Sequence, residues 1–152
     1  MPTAVGIMGT ATMLISASLP TSYDDDAMTG YPSVSMTALG EVVDIGAVGR
    51  SYNLVTHSRL GNRGITKLKG QYNEGSVTIS MARDDDDAGQ VLALAALSSD
   101  NDYTFEIAYA DGESDFFAAK VMSFQAVNGG LESIVSRSMV VEITRPIVTA
   151  TT

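Results

Sequence analysis

The chain has 152 residues, 45% hydrophobic and 18% charged, with a net charge of −9 at neutral pH. That length fits one domain able to bury a core of its own. The lack of cysteine excludes disulfides and thiolate metal sites, the acidic balance argues against tight binding of a phosphate backbone, and no apolar run reaches the length of a membrane span. So few charges also point to surface covered by partners.

Residues 1–9 read as an N-terminal arm. No Lys or Arg precedes Arg50, so the positive segment of a secretion signal is missing, and the expectation is a soluble protein with no membrane association. Residues 11–18 alternate, with Ala11, Met13, Ile15 and Ala17 on one face, and predict a first strand that Pro20 ends. Pro20 to Ser35 holds Asp24–Asp26, Gly30 and Pro32 and reads as a long loop. Residues 41–48 form a β-branched run with Gly46 inside it, where a bulge or a close backbone approach is expected.

Residues 49–64 then make a hairpin-like excursion, read as a long loop with a strand-like piece from Tyr52 to His57, and residues 64–72 form an exposed or edge strand. Arg50, Arg59, Arg63, Lys67 and Lys69 lie here, five of the nine basic residues, with no acidic residue between Arg50 and Lys69. After Asn73-Glu74-Gly75, residues 76–82 alternate cleanly, with Val77, Ile79 and Met81 facing one way and Ser76, Thr78 and Ser80 the other.

The one good helix is expected over 86–98. Asp84–Asp87 supply its N-terminal cap and suit the positive end of its dipole. Val91, Leu92, Ala95 and Ala96 mark its buried face, and Leu94 and Leu97 widen the apolar stripe sideways. Tyr103, Phe105, Ile107 and Tyr109 alternate inward, Asp111-Gly112 turns the chain, and strands follow over 115–125 and 138–144. Residues 146–152 read as a C-terminal arm. About eight strands and one helix make the fold mainly β, a β-sandwich or barrel with a flanking α-helix, in a single domain over 1–152 whose body spans 10–145.

No catalytic constellation stands out, so the chain reads as a non-enzyme with no cofactor. The single histidine, His57, sits among Thr56, Ser58 and Arg59, a loop or interface setting. Neither acidic run has the ligand spacing of an EF-hand, and capping explains Asp84–Asp87 without a metal. The basic stretch lacks the aromatic interleaving of single-strand binders, with only Tyr52 and Tyr72 nearby. An ordinary solvated loop and an acidic protein partner, including another copy of this chain, both fit it; opposite charges at two ends of one subunit favour head-to-tail stacking.

The order Glu41-Val-Val-Asp-Ile-Gly46, Gly49-Arg-Ser-Tyr-Asn-Leu-Val-Thr-His57, Leu60-Gly-Asn-Arg-Gly64 and Gly70-Gln-Tyr-Asn-Glu-Gly-Ser-Val-Thr-Ile79 resembles the major tail tube protein of long non-contractile-tailed bacteriophages. The resemblance continues through Asp87-Ala-Gly-Gln-Val91, Asp111-Gly112 and Val121-Met-Ser-Phe124, and covers roughly residues 10–145. It implies a virion structural protein that self-assembles into stacked hexameric rings. These would form a hollow tail tube, built in the host cytoplasm, through which viral DNA passes without specific binding. Tape measure, terminator and tail-tip proteins are the other implied partners. The resemblance makes residues about 49–64 the loop that reaches the neighbouring ring and lets the arms at 1–9 and 146–152 bridge subunits; with the basic stretch beside it, inter-ring or inter-subunit contacts are expected at Arg50, Tyr52, Asn53, His57, Arg59, Arg63, Lys67 and Lys69. Ser76, Thr78 and Ser80 face either the channel or the outer solvent. Two other readings remain: the tube of a related contractile or secretion machine, and a ligand-binding β-sandwich module such as a carbohydrate binder.

Overall fold

The computed structural model describes residues 11–131 and 134–151; the N-terminal arm at 1–9 lies outside them. Ten strands and one helix follow in chain order: β1 (Thr12–Ser16), β2 (Thr37–Leu39), β3 (Val42–Ile45), β4 (Ser51–His57), β5 (Thr66–Asn73), β6 (Ser76–Ala82), α1 (Ala88–Leu97), β7 (Tyr103–Ala108), β8 (Glu113–Val127), β9 (Ser136–Ile143) and β10 (Val148–Thr151). Seven strands pair antiparallel in the order β2-β1-β7-β8-β9-β6-β3, and β10 adds to β8. Strands β4 and β5 stand apart as a two-stranded ribbon. Ala11, just before β1, lines a cleft with Val42–Ile45 of β3, so the sheet curls and brings its β1 side toward β3 at the far end. The mainly β body with one helix is as expected, with two more strands than the alternation revealed.

One face of the curled sheet makes the core. Met13 and Ile15 come from β1, Val77, Ile79 and Met81 from β6, Phe105 and Ile107 from β7, and Met139 and Val141 from β9, all fully buried. The period-2 pattern grouped those of β1, β6 and β7 correctly on one face, because strands buried on one face must alternate. In β8 the alternation breaks. A register shift between Val121 and Ser123 makes Met122 an extra residue, so Val121 and Phe124 both reach the core while Met122 points to solvent.

A smaller core lies on the opposite face. Phe116 turns away from its neighbour Phe117 and stacks on Tyr31 at 5.7 Å, with Ala150 buried beside them. Tyr31 belongs to the loop Pro20–Ser35, which is tightly built rather than structureless. Asp24 Oδ1 accepts from the Asp26 N–H, and Asp26 Oδ1 accepts from those of Met28 and Thr29. The Arg145 guanidinium lies 4.0 Å from the Tyr23 ring centroid, closing the loop over the sheet. The same patch overturns the C-terminal arm as a free segment, because Val148–Thr151 pair with Glu113–Phe116 of β8.

Helix α1 runs from Ala88 to Leu97, within the expected 86–98, and starts from the expected aspartates. Asp87 is its N-cap, accepting from the Gln90 N–H at 3.0 Å and, from the turn between β2 and β3, the Gly40 N–H at 2.9 Å. The buried Gln90 side chain donates to the carbonyls of Gly40 and Ala82 and accepts from the Asp84 N–H. The inward face is Gly89, Gln90, Ala93 and Ala96 with Leu92 packed beside it, so of the four expected residues Leu92 and Ala96 face in while Val91 and Ala95 face out. Close approach decides this. A Cβ on Gly89 would lie 2.4 Å from the Ala38 carbonyl oxygen, so only small residues fit against β2, and the larger Val91 and Leu94 turn outward. The expected close approach at Gly46 is also present: its N–H donates to the Thr78 carbonyl at 2.9 Å, and a Cβ there would come within 3.0 Å of that oxygen.

Two tests follow from this packing. Gly89→Ala gains about 1 kcal/mol of helix propensity, yet the backbone clash should reverse the sign and destabilise the protein by roughly 1–3 kcal/mol in urea unfolding; a net gain would refute the close packing. Burial, and then the nearby Tyr23, push the Tyr31 phenol from its ordinary 10 to about 12. Its folded value being raised, the stability it contributes is complete below pH 10 and lost as pH rises through about 12. Tyr31→Phe should therefore be near neutral at pH 7 and blunt the alkaline loss in a pH series of thermal melts.

Candidate assembly surface

The β4–β5 ribbon gathers all eight residues expected to make contacts between subunits. Its tip turns at Gly61, with φ +83, while Asn62 Oδ1 accepts from the Gly64 N–H at 3.1 Å. Its strands pair from Ser51 opposite Asn73 to His57 opposite Thr66, with a register shift between Tyr52 and Leu54. The segment 49–64, expected as a long loop with a strand-like piece from Tyr52 to His57, thus holds β4 over Ser51–His57 and the tip of the ribbon beyond it. At the shift the chains come close: a Cβ on Gly70 would meet Val55 Cγ2 at 2.6 Å.

A lone two-stranded ribbon is marginal in water, and the base of this one is tied. Arg50 Nη2 lies 2.7 Å from Glu74 Oε1, and Arg50 Nη1 donates to the Tyr52 hydroxyl at 3.3 Å. The same guanidinium sits 4.1 Å from the Tyr72 ring centroid, Tyr52 and Tyr72 lie 5.5 Å apart, and Lys69 Nζ is 4.9 Å from the Tyr52 ring. The hydrogen bond to Tyr52, followed by that to Glu74, holds the Arg50 guanidinium above its ordinary value. Arg50 is therefore committed within its own chain. Glu74, just past the uncharged-or-basic stretch, was the partner that sequence spacing passed over, although the Asn73-Glu74-Gly75 turn was visible.

The other basic groups have no such partner. Among the described residues, Arg59, Arg63 and Lys67 make no ion pair. Every residue of β4 is exposed, and of β5 only Gly70 is even partly covered. The ribbon offers solvent two apolar surfaces: Leu54, at 66% exposure, on the side of Lys67 and Lys69, and the directly paired Val55 and Leu68 on the other. Asn53 sits at the register shift and His57 near the tip, both exposed.

Ser76, Thr78 and Ser80 lie elsewhere, on the face of β6 turned away from the core. They stand opposite Glu142, Val140 and Ser138 of β9, and Ser123 and Gln125 of β8 continue the row. The result is a hydroxyl- and amide-rich face spanning three strands with few charges.

No protein-family model matches this sequence, and no curated protein does. Solved structures do match in shape. A chain of the SPP1 tail tube superposes with a TM-score of 0.66 at 17% identity, covering 96% of this chain and 80% of that one. The fold is that of a tail tube protein. A chain in the anti-feeding prophage baseplate gives 0.66 at 8% identity over 98% and 97% of the two chains. A chain in the tail of an empty gene transfer agent particle gives 0.62 at 12% identity over 92% and 95%. The tail-tube fold thus runs through nearly the whole chain, as the order of sequence motifs implied.

Proposed function

We propose that this chain is a structural tail protein that assembles with copies of itself into stacked hexameric rings, forming the hollow tube of a long non-contractile bacteriophage tail through which viral DNA is delivered. The observation that carries this reading is the β4–β5 ribbon, which extends apolar and cationic side chains beyond the domain on a tail-tube fold. An isolated domain gains nothing from such an element. A subunit that must grip its neighbours does.

Charge supports the conduit. A wall rich in Lys and Arg would trap phosphate, and this chain has net charge −9 with its basic residues concentrated on the ribbon. The face through Ser76, Thr78 and Ser80 suits a channel lining, since hydroxyl and amide groups predominate there and Lys120, which stands opposite Glu142 on the same face, is held in an ion pair by Asp102. Tape measure, terminator and tail-tip proteins are the further partners of such a tube, with assembly in the host cytoplasm. A second reading, the tube of a contractile machine, draws on the equal likeness to the anti-feeding prophage chain. A carbohydrate-binding module has less support: among the described residues the exposed aromatics are Tyr52 and Tyr72, and both are engaged with Arg50 and Lys69.

Purified protein should form rings or open tubes in electron micrographs, and Arg59→Glu with Arg63→Glu should abolish them without lowering the melting temperature. Wild-type protein that stays monomeric at every concentration would sink the reading, and tubes unaffected by the double change would remove Arg59 and Arg63 from the contacts that build them. Arg50 is left intact because Arg50→Glu would set two carboxylates against each other at the ribbon base. Since the chain has no cysteine, Thr78→Cys supplies a single thiol. In assembled tubes a small maleimide should label it and a bulky polymer-linked one should not; equal labelling by both would place that face on the outside.

A further inference from the structure

Helix α1 reads Ala88-Gly-Gln-Val-Leu-Ala-Leu-Ala-Ala-Leu97, without one charged residue. A helix apolar all round belongs in an interior. Here only one side is covered: Gly89, Gln90, Ala93 and Ala96 face the sheet, while Val91 and Leu94 are 54% and 48% exposed and Leu97 is also open. The bulged Met122 of β8 shares a cleft with Leu97 and prolongs the stripe. At the N-terminal end of the stripe stand Asp84 and Asp86, neither of which makes an ion pair among the described residues.

The same chain carries the complement. On the ribbon, Val55 and Leu68 form a directly paired apolar surface, and the tip beyond holds the unpaired Arg59 and Arg63. Resting on the tube reading above, we infer that the ribbon of one copy docks its Val55–Leu68 face on the Val91–Leu94–Leu97 stripe of another copy, with the arginine tip toward Asp84 and Asp86. The lengths agree. Ten helical residues span about 15 Å, and the seven residues of β4 about 23 Å, enough to cross the stripe and carry the tip past the helix start. Charge sets the direction, because the reverse orientation would leave both the arginines and the aspartates without partners. The two surfaces lie on different parts of one subunit, so the contact is heterologous and propagates from copy to copy instead of closing a dimer.

Disulfide trapping tests this directly, since every disulfide in this chain reports an introduced pair. Leu68→Cys and Leu94→Cys proteins, each with an unaltered circular dichroism melt, are mixed, assembled and mildly oxidised. The expected product is a covalent dimer joining position 68 of one copy to 94 of the next, absent when Thr56→Cys, on the opposite ribbon face, replaces Leu68→Cys. If either variant blocks assembly, Val55→Cys with Val91→Cys gives the same reading. Tubes that form normally without the 68–94 or 55–91 bond, or with a 56–94 bond instead, overturn this contact and leave the tube reading standing. Wild-type protein that forms neither rings nor tubes overturns the proposed function, and this contact falls with it.

Discussion

Backbone pairing along the fifteen residues of β8 is the constraint on which the rest of the structure depends. Its first half is held between β7 and β10, and its second half runs against β9. A strand paired in this way sends alternate side chains to opposite faces, so Phe117 enters the main core and Phe116 must enter another. The second core exists because of that neighbour. Loop Pro20–Ser35 covers Phe116 with Tyr31, and β10 contributes Ala150. The bulge at Met122 then re-phases the strand, keeping Val121 and Phe124 inside and leaving one methionine at the surface beside α1.

The junction between helix and sheet is equally constrained. Asp87 serves two backbone donors, the Gln90 N–H of its own helix and the Gly40 N–H distant in sequence, and Gln90 satisfies three backbone groups of Gly40, Ala82 and Asp84. Each of these would be costly to leave unpaired in a buried setting. Fixing Gln90 inward also fixes which side of the helix looks out. The outward side is apolar for that reason, not because the helix lacks an amphipathic solution for water.

Ribbon and helix together describe a subunit unfinished on its own. The domain satisfies its core, yet it leaves an apolar helix side and both faces of a two-stranded ribbon in solvent, with cations and carboxylates held apart on one chain. Within the proposed tube these features meet across copies, and the acidic remainder of the surface keeps phosphate from adhering. Arg50 acts within the subunit instead. Its bonds to Glu74 and Tyr52 and its contact with the Tyr72 ring tie the two strands of the ribbon together at its base.

Much of this was legible in local pattern. Alternation in β6 and β7 identified the core residues, Asp111-Gly112 and Asn73-Glu74-Gly75 marked turns, the aspartates marked the helix start, and motif order pointed to the tail-tube fold. The short β2 and β10 were not legible, because each is specified by a distant pairing edge and carries too few residues for a period. Half of the helix face, Leu92 and Ala96, was placed correctly, and the rest was misread for a related reason: hydrophobicity ranked Val91 above Gly89, whereas the approach of the Ala38 backbone selects for absence of a side chain. The sequence by itself thus determined eight of the ten strands, several of the turns, and that positive charge concentrates on one excursion. Only the tertiary structure decided which apolar residues stay uncovered and that Arg50 is spoken for by Glu74. Local periodicity records what a segment can bury, while steric approach and long-range pairing choose what it does bury.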